Sequence, residues 1–344
     1  MDAYPPPPQF ASLAAPAPEP FWSVMIPTYN RATYLERTLA SVLAQDPGPQ
    51  KMQIEVVDDA STSDDPGPLV RRAGGGRVAF FRQPHRLGTS ANYNSCVERS
   101  VGQWVHILNS DDLVLPGFYE RLRGTLEGRN DVGAAFCRHA YVDVNEKQLG
   151  TSDFESLTAG IIPDFIDRIG VAQTICSPSV MVVRRSVYGD LGGFRKDLPC
   201  AGDWEMWIRI AAHYPVWYEP EILAAWREHS RQSSVAFAKL GQDIADMRRC
   251  VEISRSWFPS DRADDMSRRA REYLSFWAFD NAESAFAEAE LTVAFRQVYE
   301  GLKCSTSLRV MKGLRGVFFS MARGVLRGTY ARGKSLFTRG TSRP

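Results

Sequence analysis

The chain has 344 residues, of which 44% are hydrophobic, 24% charged and 11% aromatic. That is too apolar for a disordered chain and too poor in cysteine for a disulfide scaffold. The net charge of +1 is unevenly spread: the stretch 303–344 holds ten Lys/Arg and no Asp/Glu, leaving 31 basic against 40 acidic residues elsewhere, a net of −9.

In chain order, residues 1–20 read as a Pro-rich arm, extended and mobile. The arm lacks the basic start and apolar centre of a signal peptide. From 21 to 235, short apolar strands alternate with helical stretches. Ser23–Ile26, Ile54–Val57, Val78–Phe81, Val105–Leu108 and Val180–Val183 are rich in Val, Ile and Phe and predict strands. Between the first two, Leu35, Leu39, Val42 and Leu43 recur at i, i+4, i+7 and i+8, which predicts a helix. Thr33 followed by Glu36 suggests a capping box at its start, although Arg31 or Ala32 can belong to it, and residues 46–50 end it. Strand, helix, strand implies a right-handed unit in a largely parallel sheet. From 236 to 302, Pro and Gly become sparse while Ala, Glu and Arg become frequent, as expected of two or three packed helices.

The last part, 303–344, is a basic tail. Met311, Leu314, Phe318, Met321 and Val325 follow 3-4-3-4 spacing, flanked by Arg309, Lys312, Arg323 and Arg327. One reading is an amphipathic helix lying on an anionic membrane surface. The other is a helix packed on the acidic body of the protein, and Gly313, Gly316, Gly324 and Gly328 weaken it as an independent helix. Nucleic acid is not expected as a partner, because the tail carries no binding module. No apolar run approaches the roughly 18–20 residues that cross a membrane. The six scattered cysteines form no Cys-x-x-Cys pair. That suits a reducing compartment, so the expected location is cytoplasmic, and the tail allows a peripheral position at the inner face of the plasma membrane.

Ligands of open α/β sheets bind beyond the carboxyl ends of the strands. Three such ends carry polar clusters here: Pro27-Thr28-Tyr29-Asn30-Arg31, Asp58-Asp59-Ala60-Ser61 and Asn109-Ser110-Asp111-Asp112. Each alone could simply cap a helix or shape a turn. Two Asp-Asp pairs repel unless water or a cation relieves them, and a hard divalent cation completed by phosphate oxygens would do so.

With these residues in view the sequence resembles the family 2 glycosyltransferases, which have the GT-A fold. The resemblance rests on Ser23–Arg31, Val56–Thr62, Gly88–Asn92, Gly102–Asp112, Pro116, Leu191–Phe194, Asp203–Arg209 and Trp226–His229, in the family's order across residues 22–235. It implies an α/β Rossmann-like fold with a mostly parallel central sheet, followed here by the helical segment. It also implies a nucleotide-sugar site. Pro27, Thr28, Tyr29 and Arg31 would lie near base and ribose, Asp58 or Asp59 would hydrogen-bond the base, and Asn92 would line the pocket. The family's Asp-x-Asp motif falls on Asn109-Ser110-Asp111, so its first Asp is Asn here. Asn109 can accept a ribose hydroxyl or offer a neutral oxygen to a metal. Asp111, with Asp112 as alternative, would hold Mg²⁺ or Mn²⁺.

Asp203 matches the family's general base. It also reads as the N-cap of a helix carrying Trp204, Trp207 and Ile208, with Glu205 as a substitute base. His229 would help hold metal or diphosphate, or is a plain surface histidine; Arg227 would pair with the diphosphate or form an ordinary salt bridge. The implied reaction is inverting transfer of one sugar from a UDP-, GDP- or dTDP-sugar to an acceptor, with a lipid-linked saccharide in surface polysaccharide assembly as the expected acceptor. The processive members' Gln-x-x-Arg-Trp segment is absent. A nucleotidyltransferase is the weaker enzyme alternative, since it would want a Gly-rich loop where Pro27–Arg31 stands. A non-catalytic nucleotide binder is the other, kept open by Asn109.

Overall fold

In the computed structural model, which describes residues 4–10, 13 and 19–327 (side chains of 319–327 excepted), the largely apolar run after the arm becomes β1 (Trp22–Thr28), buried at all seven positions, Ser23 and Thr28 included. A strand with no polar alternation suits the centre of a sheet covered on both faces. There follow α1 (Ala32–Leu43), β2 (Met52–Asp58), α2 (Pro66–Gly74), β3 (Ala79–Arg82), α3 (Thr89–Arg99), β4 (Trp104–Ile107), β5 (Leu113–Val114) and α4 (Phe118–Leu126). Next come β6 (Ala134–Val142), β7 (Gln148–Thr151), β8 (Gly160–Ile161), α5 (Phe165–Ile169), β9 (Met181–Arg184), α6 (Arg185–Leu191), α7 (Gly202–His213) and β10 (Val216–Arg227). The five predicted strands are therefore present, shifted at their ends by one or two residues. The sheet runs β3-β2-β1-β4-β9-β6-β10-β5, with β7 added to β6 and β8 to β10. Pairings from β3 through β4 and between β6 and β10 are parallel, and β9 is antiparallel to both of its neighbours. This is an α/β fold around a mostly parallel central sheet.

The start of α1 differs from expectation. The residue preceding it is Arg31, and no side chain of Thr33 caps it. The Ala32 amide instead donates to Asp64 Oδ2 at 3.0 Å, a carboxylate from the loop after β2 placed at the positive end of the helix. Sequence adjacency could not reveal a cap supplied from 32 positions away.

Gly102 shows how tightly the sheet is closed at the amino end of β4. A Cβ there would lie 2.6 Å from both Ser23 N and the Trp22 carbonyl carbon. The neighbours are backbone and cannot rotate away, so Gly102→Ala is expected to destabilise the fold by about 1–3 kcal/mol, read as a lowered urea midpoint.

The described chain clusters into two compact units. One comprises the residues up to Phe165 with Ile175–Pro199 and Arg209–Glu228, and it holds the sheet. The other comprises Ile166–Thr174, Cys200–Ile208 and the residues from His229 onward. Within the first, described residues of the arm are seated: the Pro8 carbonyl accepts from Gly193 N–H at 2.8 Å and the Leu13 carbonyl accepts from Arg185. Arm residues 1–3, 11–12 and 14–18 lie outside the described residues.

The second unit holds α8 (Ser233–Leu240), α9 (Gln242–Ser254), α10 (Ala263–Ala287), α11 (Leu291–Cys304) and α12 (Leu308–Arg327). Helix α10 packs on α11 through Ala282, Ala285 and Ala294, and on α12 through Phe279, Val310 and Leu314. Of the predicted tail stripe, Leu314 is thus turned onto the protein itself, whereas Met311 and Phe318 are exposed. Gly313, expected to weaken the helix, permits its close approach to α10, since a Cβ there would stand 2.5 Å from Phe276 Cε1. The side chains of Met321, Arg323, Val325 and Arg327, and all of Gly328 to Pro344, lie outside what is described. Among the described residues no helix is long and apolar enough to cross a membrane.

Candidate active site

Strand order reverses between β1 and β4, because the chain leaves β1 towards β2 and β3 and returns to β4 on its other side. The carboxyl ends at such a reversal open a crevice. The three polar clusters stand at the carboxyl ends of β1, β2 and β4. Across the reversal, Arg31 Nε lies 3.6 Å from Asp111 Oδ2, with both side chains mostly buried.

The turn after β1 is strained and held. Asn30 adopts φ 54°, a left-handed conformation that Asn tolerates better than most residues. Its amide donates to Ser61 Oγ at 2.9 Å, and its Oδ1 accepts from the Thr62 and Ser63 amides at 2.8 and 3.0 Å. Thr28 Oγ1 is buried with no hydrogen-bond partner among the described residues, so it is a hydroxyl able to meet a ligand. The Arg86 guanidinium lies 4.1 Å from the centre of the Tyr29 ring. Pro27 is buried in β1.

The neighbours Asp58 and Asp59 are spent differently. Asp58, wholly buried, accepts from Ser61 Oγ at 2.5 Å and lies 3.2 Å from Arg82 Nε. Burial raises its carboxyl above the usual carboxylate value, against the lowering pull of Ser61 and Arg82. Asp59 accepts the backbone amides of Leu87 and Gly88 at 2.7 and 2.9 Å and so fixes the loop before α3. Asn92, expected to line the pocket, has its amide engaged by the Val57 carbonyl at 3.0 Å and by Gln83 at 3.2 Å.

After β4 the segment is a lattice of hydrogen bonds. Asn109 Oδ1 accepts from Tyr93 OH at 2.8 Å, and its Nδ2 donates to Ser177 Oγ at 3.1 Å. The Ser110 carbonyl lies 3.0 Å from Thr38 Oγ1 on α1. Asp112 is 1% exposed. Its Oδ2 accepts from Ser179 Oγ at 2.6 Å and from Ser177 Oγ at 3.1 Å, while Oδ1 accepts the Arg227 amide at 3.0 Å. Burial first, and the charge of Asp111 second, push its carboxyl up to about 7. Asp111 by contrast keeps 18% of its side chain exposed. Arg227, completely buried at the end of β10, donates through Nε to the Asp111 carbonyl at 2.8 Å and through Nη2 to Glu146 at 3.0 Å. Of its two expected roles, the geometry realises the salt bridge.

Ser177, Ser179, Tyr93 and Glu146 were not legible as site residues. Ser177-Pro178-Ser179 reads as an ordinary strand entrance, and nothing in the sequence pairs it with a segment 65 positions earlier.

In the second unit, α7 begins at Gly202, one residue before the expected cap, so Asp203 sits inside its first turn. Asp203 Oδ1 accepts the Trp204 amide at 2.7 Å. The Cys200 and Ala201 amides donate to Asp246 Oδ2 at 2.7 and 2.8 Å. Burial pushes the Asp203 carboxyl up to about 7, with the nearby Asp246 charge adding and the Trp204 amide opposing. Glu205 is fully buried. His229, half-buried, donates its backbone amide to Gln232 at 3.4 Å.

The three polar clusters at the strand-order reversal also lie within the span that a family model matches. The sequence model described as glycosyl transferase family 2 covers residues 23–192, from the start of β1 through α6. The chain belongs to this family. The transferase is 26% identical over 246 residues to an uncharacterised protein of Mycobacterium tuberculosis, covering 68% of this chain and 75% of that protein. It is 24% identical over 221 residues to an uncharacterised glycosyltransferase of Rickettsia felis, covering 62% of this chain but only 35% of the relative. Over 101 residues it is 34% identical to a Campylobacter jejuni GalNAc(5)-diNAcBac-PP-undecaprenol beta-1,3-glucosyltransferase, covering 28% and 32% of the two chains. Its fold is similar to that of residues 1–349 of S. aureus TarS in complex with UDP-GlcNAc, at TM-score 0.64 and 16% identity over 91% of this chain and 93% of that one. It is also similar to a Pyrobaculum calidifontis mannosyltransferase in complex with GDP-Man and Mn²⁺, at TM-score 0.50 and 20% identity over 92% and 89%.

Proposed function

We propose that the protein transfers a single sugar, with inversion, from a UDP-, GDP- or dTDP-linked donor to an acceptor hydroxyl. The observation that carries this reading is the Arg31–Asp111 pair facing across the strand-order reversal. A cation and an anion brought together at the mouth of a crevice suit a diphosphate and the metal that accompanies it. Thr28, Tyr29 and Arg31 meet the nucleoside, with the unpartnered Thr28 hydroxyl as a donor or acceptor to it. Asp58, Asp59, Asn92, Asn109 and Ser110 shape that side chiefly by holding its loops.

A divalent cation fits a reduced donor set. Asn109 Oδ1 accepts from Tyr93 and both Asp112 oxygens accept hydrogen bonds, whereas Asp111 keeps 18% of its side chain exposed and is our candidate to hold Mg²⁺ or Mn²⁺ together with diphosphate oxygens and water. Such an ion, once bound, neutralises charge building on the departing diphosphate. Among the described residues no group of three His, Cys, Asp or Glu side chains is placed to hold a metal ion. His229, by its place in the Trp226–His229 segment that resembles the family, is our candidate for a further contact to the diphosphate. Asp203 takes the acceptor proton, and its raised carboxyl places it near working pH for that task.

The Campylobacter relative's name supports a lipid-linked saccharide as acceptor, and surface polysaccharide assembly is the process we propose for it. Lys312 and Arg315, exposed beside Met311 and Phe318, suit contact with anionic headgroups, which would bring the enzyme to such an acceptor. Calorimetry with UDP, GDP and dTDP, followed by turnover of the matching sugar donors with and without EDTA, tests the reading. We expect one nucleotide to bind and its donor to be slowly hydrolysed, with turnover lost on chelation. Binding of none of the three would overturn it.

A further inference from the structure

Beside the carboxyl ends of β1 and β2 stands an arginine outside every segment that carries the family resemblance. Arg86 is exposed on the loop between β3 and α3, and its guanidinium lies 4.1 Å from the centre of the half-buried Tyr29 ring. Among the described residues no carboxylate pairs with it. Arg82, at the start of the same loop, is by contrast committed to Asp58 and Asp65. A planar cation resting on a planar ring without an ion pair makes a contact that a flat ligand can open.

The backbones on both sides of this contact are fixed. After Tyr29, Asn30 is held by Ser61, Thr62 and Ser63. Around Arg86, the Gln83 amide donates to the Asp58 carbonyl at 2.8 Å, and the Leu87 and Gly88 amides donate to the two carboxylate oxygens of Asp59. Asp59 is 3% exposed, and its own amide donates to the Thr28 carbonyl at 2.9 Å, so one buried residue ties the loop to the end of β1. The long Arg86 side chain is the part left free to swing. Stacked bases are spaced by about 3.4 Å, so a base between ring and guanidinium needs them roughly 7 Å apart, an opening of about 3 Å that arginine rotamers supply. Thr28, directly before Tyr29, is 3% exposed with a hydroxyl that lacks a partner among the described residues. A buried polar group of that kind is one that a ligand at this strand end satisfies.

We propose that Tyr29 and Arg86 form a clamp for the nucleobase of the donor, with Arg86 resting on the ring until a base enters between them. Aromatic rings and guanidinium planes both stack on bases, and the tie through Asp59 keeps the two sides of the clamp in register. The proposal rests on the reading of this crevice as a nucleotide-sugar site and adds Arg86 to it. The other use of a guanidinium here is pairing with the diphosphate, and the two uses give different results when the phosphates are removed from the ligand.

The test is competition calorimetry on the full chain with uridine, guanosine and thymidine and with UDP, GDP and dTDP. For the base that binds, Arg86→Ala is expected to weaken nucleoside and diphosphate alike, each by about tenfold. Tyr29→Ala should do the same, while Tyr29→Phe, which keeps the ring, stays within about twofold of wild type. Arg86 is exposed, so its removal leaves the urea midpoint in place and the binding comparison stands on a folded chain. A loss confined to the diphosphate, and growing as salt is lowered, assigns Arg86 to the phosphates and overturns the clamp. Unchanged affinity of both ligands in Arg86→Ala overturns it as well and leaves the nucleotide-sugar reading intact. Binding of none of the six ligands to the wild type removes that reading and the clamp together.

Discussion

Asp203→Asn is expected to lower the transfer rate by about 10³-fold, within the range that a positioned general base supplies, and to leave nucleotide affinity unchanged. The substitution keeps the side-chain oxygen that accepts the Trp204 amide, so helix α7 retains its first-turn contact and the loss is chemical. In the wild type the carboxyl, pushed up to about 7 by burial, must be ionised to accept a proton. The rate therefore rises with pH through about 7 and levels above it. Stability moves the other way. The folded chain holds a proton on Asp203 that the unfolded chain releases near 4, so the folded state loses ground as pH rises from about 4 to about 7. The Asn variant carries no such penalty and should unfold at a higher urea concentration than wild type at pH 8, with the two converging at low pH. Stability withheld to keep a base buried is a familiar trade at active sites. A rate within threefold of wild type, or a profile flat between pH 5.5 and 8, would remove Asp203 from the reaction.

The strands of the first unit were legible because a parallel sheet covered on both faces favours apolar runs: Val24–Ile26 is unbroken, and Ile54–Val57 and Val105–Leu108 are each interrupted by a single polar residue, the buried Glu55 and His106. β10 escaped because its run is broken by Glu219, Pro220 and Glu221, where the register with β6 shifts between Glu219 and Ile222. Glu219 is itself buried and paired with Arg121. A pattern based on apolarity cannot see a strand whose irregularity is satisfied by a partner 98 positions away. The site divides in the same way. The clusters at strand ends were visible because they are contiguous, and their proximity followed from sheet topology. What each carboxylate does was not visible. Asp58, Asp59, Asp111 and Asp112 look alike in sequence. The structure spends Asp58 on a local turn, and long-range hydrogen bonds spend Asp59 on the Leu87–Gly88 loop and Asp112 on two serine hydroxyls. The tail shows a related limit: periodicity found an amphipathic helix, and only the contacts of Val310 and Leu314 with Phe279 reveal that its apolar side is shared between the protein and solvent.

The two neighbouring carboxylates after β4 should separate cleanly under mutation. Asp111→Asn is expected to lower turnover by at least about 10²-fold, the scale on which removal of one charge-stabilising group is felt, with little change in unfolding midpoint because its carboxylate is partly solvated and its ion pair with Arg31 is long at 3.6 Å. Asp112→Ala is expected to cost about 3 kcal/mol in stability, since the Ser177 and Ser179 hydroxyls and the Arg227 amide lose their shared acceptor inside the protein. Asp112→Asn should be tolerated: the amide oxygen keeps the Arg227 N–H, and the amide nitrogen donates to a serine oxygen. Its pH dependence identifies the cause. Burial and the Asp111 charge raise the Asp112 carboxyl to about 7, so the fold retains a proton that the unfolded chain gives up near 4, and wild-type stability falls as pH climbs across that interval. Urea titrations at pH 5 and pH 8 should therefore show Asp112→Asn gaining on wild type at the higher pH. The same titrations on Asp111→Asn should show a smaller gain, because removing the Asp111 charge relieves only the second cause of the shift. Equal losses of turnover and of stability from Asp111→Asn and Asp112→Ala would mean that the two carboxylates act as one unit, and that Asp111 has no separate task at the diphosphate.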